Sequence, residues 1–289
     1  MIRKSAFIAN VRACLSLFRI KTAEGFQYRM AYLVNAAVGV FWGLIEITVY
    51  SVFYQYAERK DAGIMAGMDI NQMITYVWLA QAIFAMVPMN IDGEILSKIN
   101  SGDVGVELCR PLDLYFHWFS KTAATRLTPF LLRGSVVLLA AAFMPAAYRM
   151  SLPASASGFL WMLLSLLAAL LLCTSYSMLI CAVRLKITWG DGITYMMMLI
   201  GGILSGAYLP LQLWPEGMQR FLTLQPFAGY LDIPVRLYIG TISPEKALSS
   251  ILIQILWSAV FILAGKLLMA KRLQTIVIQG GITDYESLF

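Results

Sequence analysis

The chain has 289 residues, of which 60% are hydrophobic and 13% charged, with a mean hydropathy of +0.72 and a formal net charge of +6. A soluble domain carries about 25% charged and roughly 45–50% apolar residues, so these figures exclude a soluble protein and imply an integral membrane one. The basic excess then belongs to anchoring at one membrane face rather than to nucleic acid. Cys14, Cys109, Cys173 and Cys181 show no metal-ligand spacing, and His117 is the single histidine. Neither a zinc site nor a disulfide is expected, and no mechanism that needs two histidines is open. His117 itself reads as an interfacial residue rather than a ligand.

Residues 5–20 have the pattern of an amphipathic helix. Phe7, Val11, Leu15 and Phe18 share one face, and Ser5, Arg12, Ser16 and Arg19 the other. Such a helix lies in the membrane interface, as a topogenic anchor or as a partner contact. Asn10, Arg12 and Arg19 interrupt its apolar run, so it is not read as a signal peptide.

The first span is expected over 31–54, since about 20 residues cross a hydrocarbon core. One face carries Asn35, Gly39, Gly43 and Glu46. The GxxxG spacing of Gly39 and Gly43 lets a second helix approach closely. Glu46 is ionisable and mid-span, so it should face protein or water, either as a protonated carboxyl bonded to a neighbouring helix or as part of a pathway. A second span is expected over 73–89, ending near Pro88.

The next interval, 89–111, reads MNIDGEILSKINSGDVGVELCRP. Ile91, Ile95 and Ile99 recur every four residues and share one helical face. Glu94, Ser97 and Lys98 lie off that face, and Glu94–Lys98 has the favourable order for an i,i+4 pair. Gly102 is a helix stop. Val104, Val106 and Leu108 then alternate with Gly105 and Glu107 as an extended run ending at Pro111.

Residues 112–125 are aromatic-rich and carry Lys121, which suits an interfacial lead into a third span over 127–147. Arg126 and Arg133 are expected to snorkel from that span to the surface. A fourth span is expected over 158–183 and a fifth over 188–208, with Asp191 near its end. Gly202 and Gly206 repeat the GxxxG spacing. Residues 209–244 hold five of the ten prolines (Pro210, Pro215, Pro226, Pro234 and Pro244) yet are apolar. Such chain fits short re-entrant or interfacial helices covered by protein. A sixth span follows over 248–269. With both termini inside, 16 of the 22 Lys and Arg fall on the inner side, a positive-inside bias that places 89–111 in the cytoplasm and 209–244 outside.

No G-x-x-x-x-G-K-[ST], G-x-S-x-G, H-E-x-x-H or G-x-G-x-x-G is present, so neither a P-loop nor a familiar hydrolase or dinucleotide site is encoded. The run from Ile99 to Leu112 resembles the I-x-S-G-x-(V/L)-x-x-x-L-x-R-P-L segment of ABC-2 family permeases. More narrowly, it is similar to the branch whose permeases accompany daunorubicin-resistance-type ATPases. The pattern Leu204-Ser-Gly-x-x-x-Pro210-Leu, then Trp214-Pro215, Gln225-Pro226-Phe227 and Pro234, resembles the same branch, as does the tail TIVIQGG.

The resemblance implies a single all-α membrane domain over 1–289, with six transmembrane helices. An N-terminal elbow helix (1–30), a cytosolic coupling segment (90–112) and an outer re-entrant region (209–244) complete it. It implies a non-catalytic exporter subunit at the cell membrane that moves an amphiphilic substrate and has no cofactor of its own. ATP and Mg would be held by separate cytosolic ATPase subunits, and a second permease, identical or paralogous, would complete the pathway within the lipid bilayer. The docking face would be Ile91, Glu94, Ile95, Lys98 and Ile99, with Gly102, Arg110 and Pro111 shaping its exit. Asn35, Gly39, Gly43, Glu46, Asp191, Gly202 and Gly206 would line the pathway or helix interfaces. Pro210, Trp214, Pro215, Pro226, Phe227 and Pro234 would form an outer gate. Two other classes stay open: an ion-coupled transporter using Glu46 or Asp191, against which no inverted repeat is detected, and a membrane assembly protein that carries no solute.

Overall fold

The computed structural model describes residues 2–58, 67–109, 113–185 and 192–273. Arg110, Pro111 and Asp191 lie outside them, as do the tail 274–281 and the side chains of Ser5 and Phe7. Among the described residues, four helices are long and apolar enough to cross a membrane: 29–56, 114–143, 156–184 and 244–273. At 1.5 Å per residue each reaches about 40 Å, more than a hydrocarbon core of roughly 30 Å. The protein is an all-α, multi-pass membrane protein.

Helix α1 (Ile2–Gln27) runs beyond the expected 5–20 and packs along α6 (Leu114–Pro129). Helix α2 (Arg29–Glu58) packs on α3 (Ile70–Ile83). Asp69 starts α3 with a reciprocal cap, its carboxylate accepting from the Gln72 amide while the Gln72 side chain accepts from the Asp69 amide. That pairing satisfies two otherwise orphaned donors. All of 73–83 is buried. The expected span 73–89 is corrected, because the helix ends at Ile83 and one 3-10 turn closes at Met86. Pro88 forces Val87 into the extended region (ψ 136°) and stops the helix there.

Helices α4 (Gly93–Ser101) and α5 (Val104–Leu108) follow. The expected extended run over 104–108 is corrected to a helical turn. The alternation of Val104, Val106 and Leu108 was too short to separate a strand from one turn of helix. Helix α6 continues through a π turn (Phe130–Gly134) into α7 (Ser135–Phe143), so the aromatic lead and the third span are one helix. Pro129 removes a backbone donor just before the π turn, which is a sufficient cause for the register change.

Helix α8 (Ala156–Arg184) is the central pillar, touching α4, α6, α9, α11 and α12. Three of its buried hydroxyls bond within the helix itself. Thr174, Ser175 and Ser177 donate to the carbonyls of Leu170, Leu171 and Cys173 at 2.7, 2.6 and 2.8 Å. Helix α12 (Pro244–Leu273) lies along α8, pinned by Gln254, which accepts from Ser165 (3.0 Å) and donates to the Gly229 carbonyl (2.7 Å). Helix α9 (Gly192–Leu204) is shorter than the expected 188–208 at its C-terminal end, because the chain turns at Ser205 and Gly206.

The proline-rich stretch folds into short helical pieces: a 3-10 turn at Leu211–Leu213, α10 (Glu216–Leu224), a second 3-10 turn at Pro226–Tyr230, and α11 (Asp232–Ile239). Pro210, Pro215 and Pro226 stand at the starts of these pieces and Pro234 in the first turn of α11, where a missing N–H costs nothing. Gly206 is left-handed (φ +84°), and a Cβ there would sit 2.5 Å from the Tyr76 hydroxyl. Gly206→Ala is therefore expected to destabilise the protein by about 1–3 kcal/mol. Gly102→Ala, also left-handed (φ +78°) but in open space, should cost less. Thermal unfolding of both variants in detergent measures the difference.

Candidate functional site

Polar side chains gather in three places in this largely apolar molecule, two of them near α4. The first is built on α4. Asp92 caps the helix, its carboxylate accepting from the amides of Glu94 and Ile95, both at 3.1 Å. Glu94 then gathers three lysines from three elements: Lys21 of α1 at 3.0 Å, Lys98 of its own helix at 3.0 Å and Lys121 of α6 at 2.5 Å. Lys121 also reaches Asp92 at 2.9 Å. Lys98 bridges onward to Glu107 of α5, which accepts from the Trp118 indole at 2.5 Å. The Glu94–Lys98 pair expected from the sequence is present. Its fusion with α1, α5 and α6 was not readable from i,i+4 spacing.

The isoleucine face is corrected. Ile95 is 1% exposed and packs in a cluster with Trp118, Met178, Cys181 and Met269, with Ile91 and Ile99 partly buried against the same cluster. It fixes α4 to α6, α8 and α12 instead of facing outward. What α4, α5 and their turns present to solvent is Gly93, Glu94, Ser97, Asn100, Ser101, Gly102, Asp103, Val106, Leu108 and Cys109, with Val106 64% exposed. Gly102 ends α4 as expected. Arg184 of α8 donates to Asn100 at 3.0 Å, and Lys266 of α12 pairs with Asp113 at 3.3 Å. Basic side chains from α1, α6, α8 and α12 thus converge on this end.

Charge linkage in the platform has a definite sign. Burial pushes the Glu94 carboxyl up, but hydrogen bonds from Lys121, Lys98 and Lys21 outweigh it and hold it well below its ordinary 4.5. Glu107 is held down in the same way by Lys98 and Trp118 against burial. For Lys98, burial lowers the value while bonds to Glu107 and Glu94 raise it further, so it ends above its ordinary 10.5. The carboxylates' contribution is complete above 4.5 and is lost as pH falls toward their folded values. The lysine contribution is complete below 10.5 and is lost as pH rises beyond it.

The second construction is a cavity of about 870 Å³ between α2, the end of α3, α6 and the turn after α9. Asn35 and Glu46 line it from α2, Gln81 from α3, and Arg126 and Arg133 from the third long helix. Glu46 accepts from the Gln81 amide at 3.2 Å, the partner that spacing did not identify. Arg133 donates to the Gln81 carbonyl at 2.5 Å and to the Asn35 carbonyl at 3.3 Å. Arg126 donates to the Asn90 side chain at 2.8 Å, to the Asn90 carbonyl and to the Val87 carbonyl at 3.4 Å. The expectation that Arg126 snorkels to the surface is corrected, whereas Arg133 stays partly exposed. Carbonyls freed where α3 breaks give Arg126 acceptors inside the protein, and it is 5% exposed. Gly39 faces the Arg133 guanidinium and Gly43 faces Trp78, so this glycine face is filled by the chain's own helices. Gly202 abuts the Met89 sulfur, whereas Gly206 lies past the end of α9. The second GxxxG is thus not a continuous helix face.

Residues 40–280 match the model of the ABC-2 family transporter protein family. The chain belongs to the ABC-2 transporter family. Comparison with curated proteins and with solved structures gives no match. Members of the ABC-2 family are non-catalytic transport subunits, and this ABC-2 chain is accordingly a membrane protein of ABC-type transport rather than an enzyme.

At the far end from α4, the proline-rich stretch of this ABC-2 chain encloses Asp232, which is fully buried. The Tyr76 hydroxyl lies 3.0 Å from its carboxylate, the Gln212 amide 3.1 Å and Arg236 3.6 Å. Phe227 stacks edge-on against Tyr176 at 5.2 Å, and Pro210 and Pro226 are buried. Trp214 is partly buried and Pro215 exposed. Asp232 was missed in the sequence, although Asp232 and Arg236 at i,i+4 in greasy chain were a usable signal.

Ile95→Ala should destabilise the chain by about 2–5 kcal/mol, as for other large-to-small changes in a packed core, and thermal unfolding in detergent measures it. The protection of α4 amides against hydrogen exchange, taken relative to the intrinsic rate at each pH, should fall as pH drops below 4.5. In Glu94→Gln that acid dependence should shrink, leaving only the part due to Glu107.

Proposed function

We propose that this chain is the membrane-spanning half of an ATP-binding-cassette exporter of the branch served by daunorubicin-resistance-type ATPases. It moves an amphiphilic substrate out of the cytoplasm, using ATP and Mg held by separate cytosolic ATPase subunits. A second permease faces it across the pathway. In this reading six helices cross the cell membrane with both termini inside, α1 is an interfacial elbow, and 209–244 forms a re-entrant outer gate.

The observation that carries the reading is the α4–α5 platform. A helix pair fixed to four others by a buried apolar face and an ion network transmits force as a unit. Its solvent-facing surface is small and mixed in character, with the apolar Val106 and Leu108 exposed beside polar residues. A motor protein docked there would move α1, α6, α8 and α12 together. The 870 Å³ cavity, directly behind the platform, supports a solute path coupled to it. Ile95 and Ile99 act as the backing of this device, while Ser97, Asp103, Val106 and Leu108 carry the contact.

Val106→Asp is expected to leave folding and membrane insertion intact while reducing co-purification of the ATPase by about tenfold or more, as loss of an interface anchor does. Retained co-purification would remove α5 from the interface. In vesicles holding the permease and its ATPase, uptake should require Mg-ATP. Uptake driven by a proton gradient without ATP, and abolished by Glu46→Gln, would favour the ion-coupled alternative.

A further inference from the structure

Arg126 and Arg133 differ from every cation of the platform. Among the described residues neither pairs with a carboxylate; their acceptors are backbone carbonyls and the neutral side chains of Asn90 and Gln81. Arg126 is 5% exposed, and its Nε is buried without any partner. A buried charge without a counterion is costly, and carbonyl dipoles offset only part of that cost. Both guanidiniums line the same cavity. Two carboxyls line the cavity: Glu46 on its α2 wall, bonded to Gln81, and Asp92, near Arg126 and already paired with Lys121; among the described residues neither forms an ion pair with either arginine. Around these polar groups the walls are apolar, from Val38, Trp42, Phe84, Met89 and Tyr208. Trp42 and Tyr208 are each about half exposed, at 51% and 50%, so the cavity opens sideways between α2 and the turn after α9.

We propose that this cavity binds an anionic amphiphile. A phosphate or carboxylate head group would sit between Arg126 and Arg133, with its hydrocarbon part running out past Trp42 and Tyr208. Guanidinium presents paired donors that match both oxyanions. The inference deepens the exporter reading by assigning the charge class of the solute. A volume of about 870 Å³ holds a head group and the first part of a chain.

The experiment uses the full-length permease in nanodiscs of zwitterionic lipid. Binding of oleoyl lysophosphatidate, oleate, oleoyl lysophosphatidylcholine, an oleyl trimethylammonium salt and inorganic phosphate is read by quenching of tryptophan with brominated-chain probes, or by competition against them. The two anionic amphiphiles should bind at least about tenfold tighter than the zwitterionic one. Inorganic phosphate should compete only weakly, since it lacks the apolar part. Arg133→Gln should weaken anionic binding by about tenfold, and Glu46→Gln should tighten it, because each changes a charge beside the head group. A purely structural role for these side chains predicts neither opposite shift. Equal binding of anionic and zwitterionic probes, or tighter binding of the cationic one lost in Glu46→Gln, overturns the proposal. Competition by inorganic phosphate as strong as that by lysophosphatidate overturns its amphiphile part. None of these readouts involves the ATPase, so failure here is separate from failure of the exporter reading, which rests on co-purification and ATP-dependent uptake.

Discussion

A single carboxylate organises the charged end of this protein. Glu94 lies within 3.0 Å of lysines from α1, α4 and α6, and the Asp92 cap beside it takes one of the same lysines. Isolated surface pairs contribute little, but charges sharing one centre with a buried lysine form a network whose members depend on one another. Without it, α4 would be a nine-residue helix between two turns, too short to hold its shape in water. With it, and with Ile95 seated beneath, α4 becomes part of the membrane bundle. Under the proposed exporter reading, an external motor would need such a joint, because a polar segment that met the motor could not flex independently of the helices it drove.

The same economy governs the interior. Where the backbone of α3 breaks at Val87–Pro88, its freed carbonyls receive Arg126. Where α6 passes through its π turn, Arg133 swings onto Gln81 and Asn35. Each irregularity in a membrane helix must find donors for its orphaned acceptors, and here the donors are guanidiniums. The cavity results from that arrangement: two irregular helices cannot pack closely, and cations bound to carbonyls keep unspent charge facing the gap.

Much of the fold was legible in the sequence. Hydropathy located the four long helices, whose apolar runs exceed the membrane thickness. Alternate prolines marked the short helical pieces after α9, and Gly102 marked the end of α4. The candidate site was legible only in part. The isoleucine repeat was read correctly as one helical face, but periodicity says which residues share a face and not what covers it. Here Trp118, Met178 and Met269, distant in sequence, cover it. Arg126 was not legible for a related reason: snorkelling is the default for a cation near a span's end, and only the break in α3, a different segment, supplies a reason to stay inside. The glycine spacing at 202 and 206 failed because a left-handed turn, set by Tyr76 and the chain beyond it, ends the helix between them.

The central claim is that α4 and α5 are the joint through which an ATPase moves the bundle. It is tested most directly by placing a photoreactive side chain at position 106 in cells that express the permease with its ATPase, then irradiating. The account predicts a crosslink between position 106 and the ATPase, weaker or absent from position 95, where the side chain is buried. A crosslink from position 95 with none from position 106, or none from either while the complex is intact, would contradict it.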